Sequence, residues 1–168
     1  TNVTFADMKM GNCGTARIIG FASSSGLINC EIHTSSEANP IYGQSGSNLM
    51  LGCYVHSMTG NNSFRFDGQA NYIISNYIIS TSGTLVMEGS QGVATVLNNL
   101  IVIDTDTNLS GLYVGDNSLV MGNIVYSKSA NIGFAVLSGN RPGLVINNVF
   151  IGFSGSGGKG LYTINAGR

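Results

Sequence analysis

Short apolar runs interrupted by small polar pairs recur along the chain. They read Leu27-Ile28-Asn29-Cys30-Glu31-Ile32, Met50-Leu51-Gly52-Cys53-Tyr54-Val55, Ile73-Ile74-Ser75-Asn76-Tyr77-Ile78, Val96-Leu97-Asn98-Asn99-Leu100-Ile101, Val120-Met121-Gly122-Asn123-Ile124-Val125 and Val145-Ile146-Asn147-Asn148-Val149-Phe150. The anchors Cys30, Cys53, Asn76, Asn99, Asn123 and Asn148 are separated by 23, 23, 23, 24 and 25 residues. One further step back of 24 reaches Ala6, so the repeat predicts about seven units of about 24 residues in the 168-residue chain. In that frame Met8 would point inward and Asp7 and Lys9 outward.

Between anchors lies a second β-prone segment, for example Ile41-Tyr42, Phe64-Arg65-Phe66-Asp67, Leu85-Val86-Met87-Glu88 and Leu112-Tyr113-Val114. Each unit thus holds about three short strands separated by Gly, Asn and Ser turns, with no sustained helical period. A unit this small cannot bury its own apolar side chains. Stacking units at strand spacing buries one column and pairs each backbone with the coils on either side. The expectation is an all-β parallel β-helix, one domain over residues 1–168. A leucine-rich repeat overlaps in period, but its LxxLxLxxN frame and return helix are missing.

Composition narrows the field. The chain has 24 Gly, 19 Asn and 20 Ser, residues that disfavour helix interiors, which opposes an all-helical fold. Net charge is -1, with 9% charged residues and no basic stripe, which argues against nucleic acid; no apolar run reaches the length of a membrane helix. Cys13, Cys30 and Cys53 are odd in number and lack CxxC spacing, so free thiols are expected rather than disulfides or zinc. The sequons at Asn2, Asn61 and Asn108 carry little weight in so Asn-rich a chain. Gly155 to Gly160 lacks the Ser or Thr of a phosphate loop and reads as a coil turn. No cofactor is expected.

The anchors Asn76, Asn99, Asn123 and Asn148 resemble the stacked Asn ladder of right-handed parallel β-helices of the pectate-lyase-like type, with Cys30 and Cys53 replacing it in earlier coils. The resemblance covers essentially the whole chain. It is specific for fold and leaves function open, because lyases, tailspikes, epimerases, adhesins and viral structural proteins share the architecture. The NTD, DD, HG and RIK motifs of polygalacturonases, the DPHE of epimerases and an aligned Asp triad for calcium are absent, which disfavours pectin chemistry. The remaining group that the chain looks most like is the bacteriophage tailspike. That likeness implies recognition of host-surface polysaccharide, with or without glycosidase cleavage, and a virion or extracellular setting. The alternative is a structural trimeric shaft or capsid-decorating protein.

Alternation assigns outward positions. On the second strand set, aligning apolar blocks gives Arg17, Tyr42, Arg65, Val86, Tyr113, Ala135 and Tyr162, then Ile19, Gln44, Asp67, Glu88, Gly115, Leu137 and Ile164. Asp67 and Glu88, 21 residues apart, would stack on adjacent strands at about 5 Å, the spacing of an acid and nucleophile in retaining glycosidases. They are the candidate catalytic pair. Arg65, Tyr42, Gln44 and Tyr113 are candidate substrate-binding residues, the tyrosines as sugar platforms. The resemblance supports outward carboxylates on such a strand; the plain alternative is a surface ion-pair cluster.

After each anchor, the outward positions change character. Glu31, His33, Tyr54 and His56 are polar, and the two histidines share a register. With Glu31 they could approach a metal, but without a third His a solvated polar ladder is the expectation, and no metal is assigned. From Ile79 onward this face is nearly all aliphatic, through Leu100, Val102, Ile124, Val149 and Ile151, too much apolar surface to leave wet. Identical chains are expected to cover it as a homotrimer about a parallel axis. Neither end carries a capping helix, so a fragment of a longer chain is expected.

Overall fold

The computed structural model describes residues 2–37, 39–59, 62–80, 85–89, 92–104, 110–128, 134–138, 143–153 and 159–163; at 62, 85–89, 110, 134–138 and 159–163 it describes backbone and register. Among the described residues, three parallel sheets, each of seven strands, wind around one column. Sheet A holds Val3–Ala6, Ser25–Ile28, Ser47–Leu51, Ala70–Ile74, Val93–Leu97, Leu119–Met121 and Leu144–Ile146. Sheet B holds Lys9–Gly14, Glu31–Ser35, Tyr54–Met58, Tyr77–Ser80, Leu100–Ile103, Ile124–Ser127 and Val149–Ile151. Sheet C holds Ile19–Phe21, Ile41–Gly43, Asn62–Phe66, Leu85–Gly89, Ser110–Val114, Phe134–Ser138 and Lys159–Thr163. Consecutive strands A, B and C complete a coil, and each pairs with its counterpart in the next coil. The fold is a parallel β-helix.

The corner between sheets A and B is set by one left-handed residue per coil: Asp7, Asn29, Gly52, Ser75, Asn98, Gly122 and Asn147, all with φ between 50° and 68°. Asp, Asn and Gly adopt this region most readily; a β-branched residue does so at a higher cost. From Cys30 onward the anchor follows immediately and faces inward. Asn99 Oδ1 accepts from the Asn76 backbone N–H and Nδ2, both at 2.9 Å, while its own Nδ2 donates to the Ile73 carbonyl and Asn123 Oδ1. The ladder runs on to Asn148 and, at its other end, Asn76 Oδ1 accepts from the Cys53 N–H. Each amide of this ladder is satisfied by the coils beside it.

Above the ladder stack Leu27, Met50, Ile73, Val96 and Val120 from sheet A and Ile32, Val55, Ile78, Ile101 and Val125 from sheet B, all fully buried. Ile41, Phe64 and Leu112 close the column from sheet C. Cys30 and Cys53 are buried free thiols and Cys13 is a half-buried one.

The first coil corrects the expectation from the repeat. Lys9 is level with Glu31 and Met10 with Ile32, so Met8, not Ala6, occupies the anchor level; Met8 is exposed and Met10 packs on the core. Asp7 forms the corner instead of pointing from a strand. The first coil is two residues shorter than the period assumed for it.

Candidate functional site

Sheet C sets the candidate residues in a different register from the one expected. Tyr42 is level with Arg65, Arg65 with Glu88, and Glu88 with Tyr113. Glu88, not Val86, therefore occupies the Arg65 rung; Leu137, not Ala135, lies beside Tyr113, and Gly20, not Arg17, beside Tyr42. Ile19 pairs with buried Ile41 and packs against the core rather than facing out. The cause is that Met87 lies over Phe64, whereas matching apolar blocks in sequence sets Leu85 there. Asp67 stands two residues beyond the Glu88 rung, so the stacked pair becomes a diagonal with Cα atoms about 8 Å apart, from strand rise and spacing. The Glu88 side chain lies outside the described residues.

Asp67 is the centre of a hydrogen-bonded network. Arg65 Nε donates to Asp67 Oδ1 and Oδ2 at 3.0 and 2.9 Å, and the Tyr42 hydroxyl donates to Oδ2 at 3.0 Å. The Asp67 side chain is only 13% exposed. Both oxygens already accept, which suits a fixed acceptor better than a proton donor. Burial, and then the hydrogen bond and charge of Asp67, raise the Tyr42 phenol above its ordinary pKa. Arg17 lays its guanidinium 4.6 Å from the centre of the Tyr42 ring and reaches Glu37 at 4.0 Å. Gln44 is exposed beside this network, and Tyr113 is half-buried. Tyr42, Arg65, Glu88 and Tyr113 occupy four consecutive rungs, spanning about 14 Å.

A second cluster lies on sheet B. Glu31 Oε1 meets Lys9 Nζ at 2.8 Å and His56 Nε2 at 3.3 Å. The Lys9 ammonium, then the His56 ring, hold the Glu31 carboxyl below its ordinary value. His33 and His56 stack at 5.4 Å, His56 stacks on Tyr54 at 4.4 Å, and Tyr54 on Tyr77 at 5.2 Å. Each histidine is followed by an extra residue in left-handed conformation, Thr34 with φ 57° and Ser57 with φ 57°. These bulged positions stack, since His33 is level with His56 and Ser35 with Met58; the next strand lacks the extra residue, and the register slips between Ile78 and Ser80. Nδ1 of each ring meets the following hydroxyl, Thr34 Oγ1 at 3.1 Å and Ser57 Oγ at 3.0 Å.

No family model, no curated protein and no solved structure matches the chain. The functional reading therefore rests on the two clusters themselves. Among the described residues, no group of three or more His, Cys, Asp or Glu side chains is placed to hold a metal ion. No described helix is long and apolar enough to cross a membrane. The sequons at Asn61 and Asn108 lie outside the described residues, as does the turn at 154–158.

The sequence reading brought Arg65, Asp67 and Tyr42 to one place, as the structure does. It missed the bulges and a second polar ladder, in which Asn48 Nδ2 donates to Asn71 Oδ1 at 2.9 Å and the Ser118 hydroxyl takes the Ala94 N–H at 2.9 Å. The available signal was a Gly two or three residues before each, Gly46, Gly68 and Gly115.

Proposed function

We propose that this chain is a polysaccharide-recognition module of the tailspike type, displayed on a virion or otherwise outside the cell. Sheet C would lie along the glycan. The observation that carries the reading is the Tyr42–Asp67–Arg65 network: a fixed carboxylate and guanidinium, held by a phenol, on a face with Gln44 exposed beside them. Such groups recognise vicinal hydroxyls by paired donation and acceptance, and Tyr113 extends the row two rungs past Arg65. A rigid β-helix holds the row without loss of order on binding.

The diagonal between Asp67 and Glu88 opposes the close pair of a retaining glycosidase, and the engagement of both Asp67 oxygens favours recognition without cleavage. A glycan array followed by an assay for new reducing ends tests this. Binding to a subset of polysaccharides is expected, without new reducing ends. Asp67→Asn should weaken binding about 10-fold or more, the scale of a charge-assisted hydrogen bond. Reducing ends that disappear in Asp67→Asn/Glu88→Gln would replace recognition with catalysis; a folded chain that binds no glycan would end the reading.

A second reading is favoured by a different observation. Leu100, Ile124, Val149 and Ile151 form an exposed apolar column on sheet B. It fits a trimeric shaft built from identical chains, a role that can coexist with glycan recognition on sheet C.

A further inference from the structure

We propose that Ser57, His56 and Glu31 form a nucleophile–base–acid relay that hydrolyses short acyl esters carried on a polymer lying across sheet B. The inference is independent of the sheet C reading. Ser57 Oγ is 3.0 Å from His56 Nδ1, and His56 Nε2 is 3.3 Å from Glu31 Oε1. A nucleophile within reach of a base that is itself oriented by a third group is the arrangement nucleophilic catalysis requires, whichever ring nitrogen serves. Glu31 is in turn fixed by Lys9 at 2.8 Å.

Three further features favour this set. Ser57 is exposed and held at φ 57°, a left-handed bulge position that fixes its hydroxyl next to the His56 ring. The His56 ring is clamped between Tyr54 and His33, which removes its rotational freedom. One coil away the same bulge is built from His33 and Thr34, and among the described residues the His33 ring makes no hydrogen bond to a carboxylate. The two coils thus form an internal comparison, one ring hydrogen-bonded to Glu31 and the other coupled to it by charge alone.

The chemistry balances without a cofactor. Ser57 Oγ attacks the ester carbonyl as its proton passes to His56 Nδ1, and the imidazolium so formed keeps its Nε2–H on Glu31. The Nδ1 proton then leaves with the alcohol, giving an acyl-serine. Water attacks this ester, delivers one proton to Nδ1, and releases the carboxylic acid as Ser57 Oγ regains its proton. Because the site is open on a sheet face, the substrate itself must cover it. Tyr54 and Tyr77 offer an adjoining apolar surface for a polymer running along the coils.

The full chain incubated with p-nitrophenyl acetate tests the proposal, read by p-nitrophenolate release, intact mass and peptide mapping. One acetyl group is expected on Ser57 during a burst, followed by turnover. Ser57→Gly keeps the left-handed corner accessible and should fall by about 10²-fold or more, the scale of general-base assistance. Glu31 is a positioning residue: Glu31→Gln should lower kcat with KM unchanged. Thr34→Ala should match the wild type. Circular dichroism melts confirm that each variant is folded. Acetyl groups found only on Lys9 or other lysines, or Ser57→Gly hydrolysing as fast as the wild type, would overturn the relay.

Discussion

Asn99 shows how much of the fold rests on single side chains. It satisfies the Asn76 N–H, the Ile73 carbonyl and both neighbouring amides at once. Asn99→Leu keeps the volume and orphans several buried groups, so a loss of about 3 kcal/mol is expected from urea unfolding midpoints. The preceding corner behaves differently. Ser75 holds φ 55° where Gly52 and Gly122 stand in other coils. Ser75→Gly relieves the left-handed cost and should stabilise by up to about 1 kcal/mol; Ser75→Val should destabilise. Cys53 continues the ladder as a thiol whose pKa burial raises to about 11, from an ordinary 9.0. A raised folded value means stability present below the unfolded pKa and lost as pH rises through the folded one. Thermal stability should therefore decline between about pH 9 and 11, and Cys53→Ala should flatten that decline.

At the scale of the strand, the repeat was legible because inward positions repeat identical chemistry: Asn on Asn, Ile on Val, each rung demanding the same size and polarity. Register on sheet C was less legible. Its apolar blocks Phe64-Arg65-Phe66 and Leu85-Val86-Met87 can be superposed two ways without changing which residues alternate, and both leave apolar side chains inside. Only the pairing of Met87 with Phe64 decides that Glu88 meets Arg65. The bulges at Thr34 and Ser57 were hidden because these residues match ordinary polar positions in a strand. The short first coil escaped for a related reason: stepping back by the average period ignores that a coil can lose two residues in its turns. Close coil contacts add a constraint of their own. A Cβ on Gly92 would lie 1.9 Å from the Gly68 carbonyl oxygen. Gly92→Ala must push adjoining coils apart, so a loss of about 1–3 kcal/mol is expected in the same unfolding assay.

For the whole molecule, the distribution of charge on sheet B dictates how copies would meet. One ladder reads Lys9, Glu31, Tyr54, Tyr77, Leu100, Ile124 and Val149. From Tyr54 to Val149 its side chains are 37% to 49% exposed. Antiparallel docking would set Lys9 and Glu31 against Val149 and bury charge on aliphatic surface. Parallel docking brings like rungs together, with the ions gathered at one wet end and the aliphatic rungs at the dry one. The expected state is therefore a parallel oligomer, the trimer being the closed form in which every copy covers the aliphatic rungs Leu100, Ile124 and Val149 and leaves Glu31, Tyr54 and Tyr77 open at the other end. Light scattering at micromolar concentration should give a mass above the monomer, and Ile124→Lys should return it to the monomer with its circular dichroism spectrum unchanged. Val149→Cys should crosslink to itself under mild oxidation. A wild-type monomer, or crosslinking of Val149→Cys only to a partner carrying Lys9→Cys, would refute the parallel arrangement.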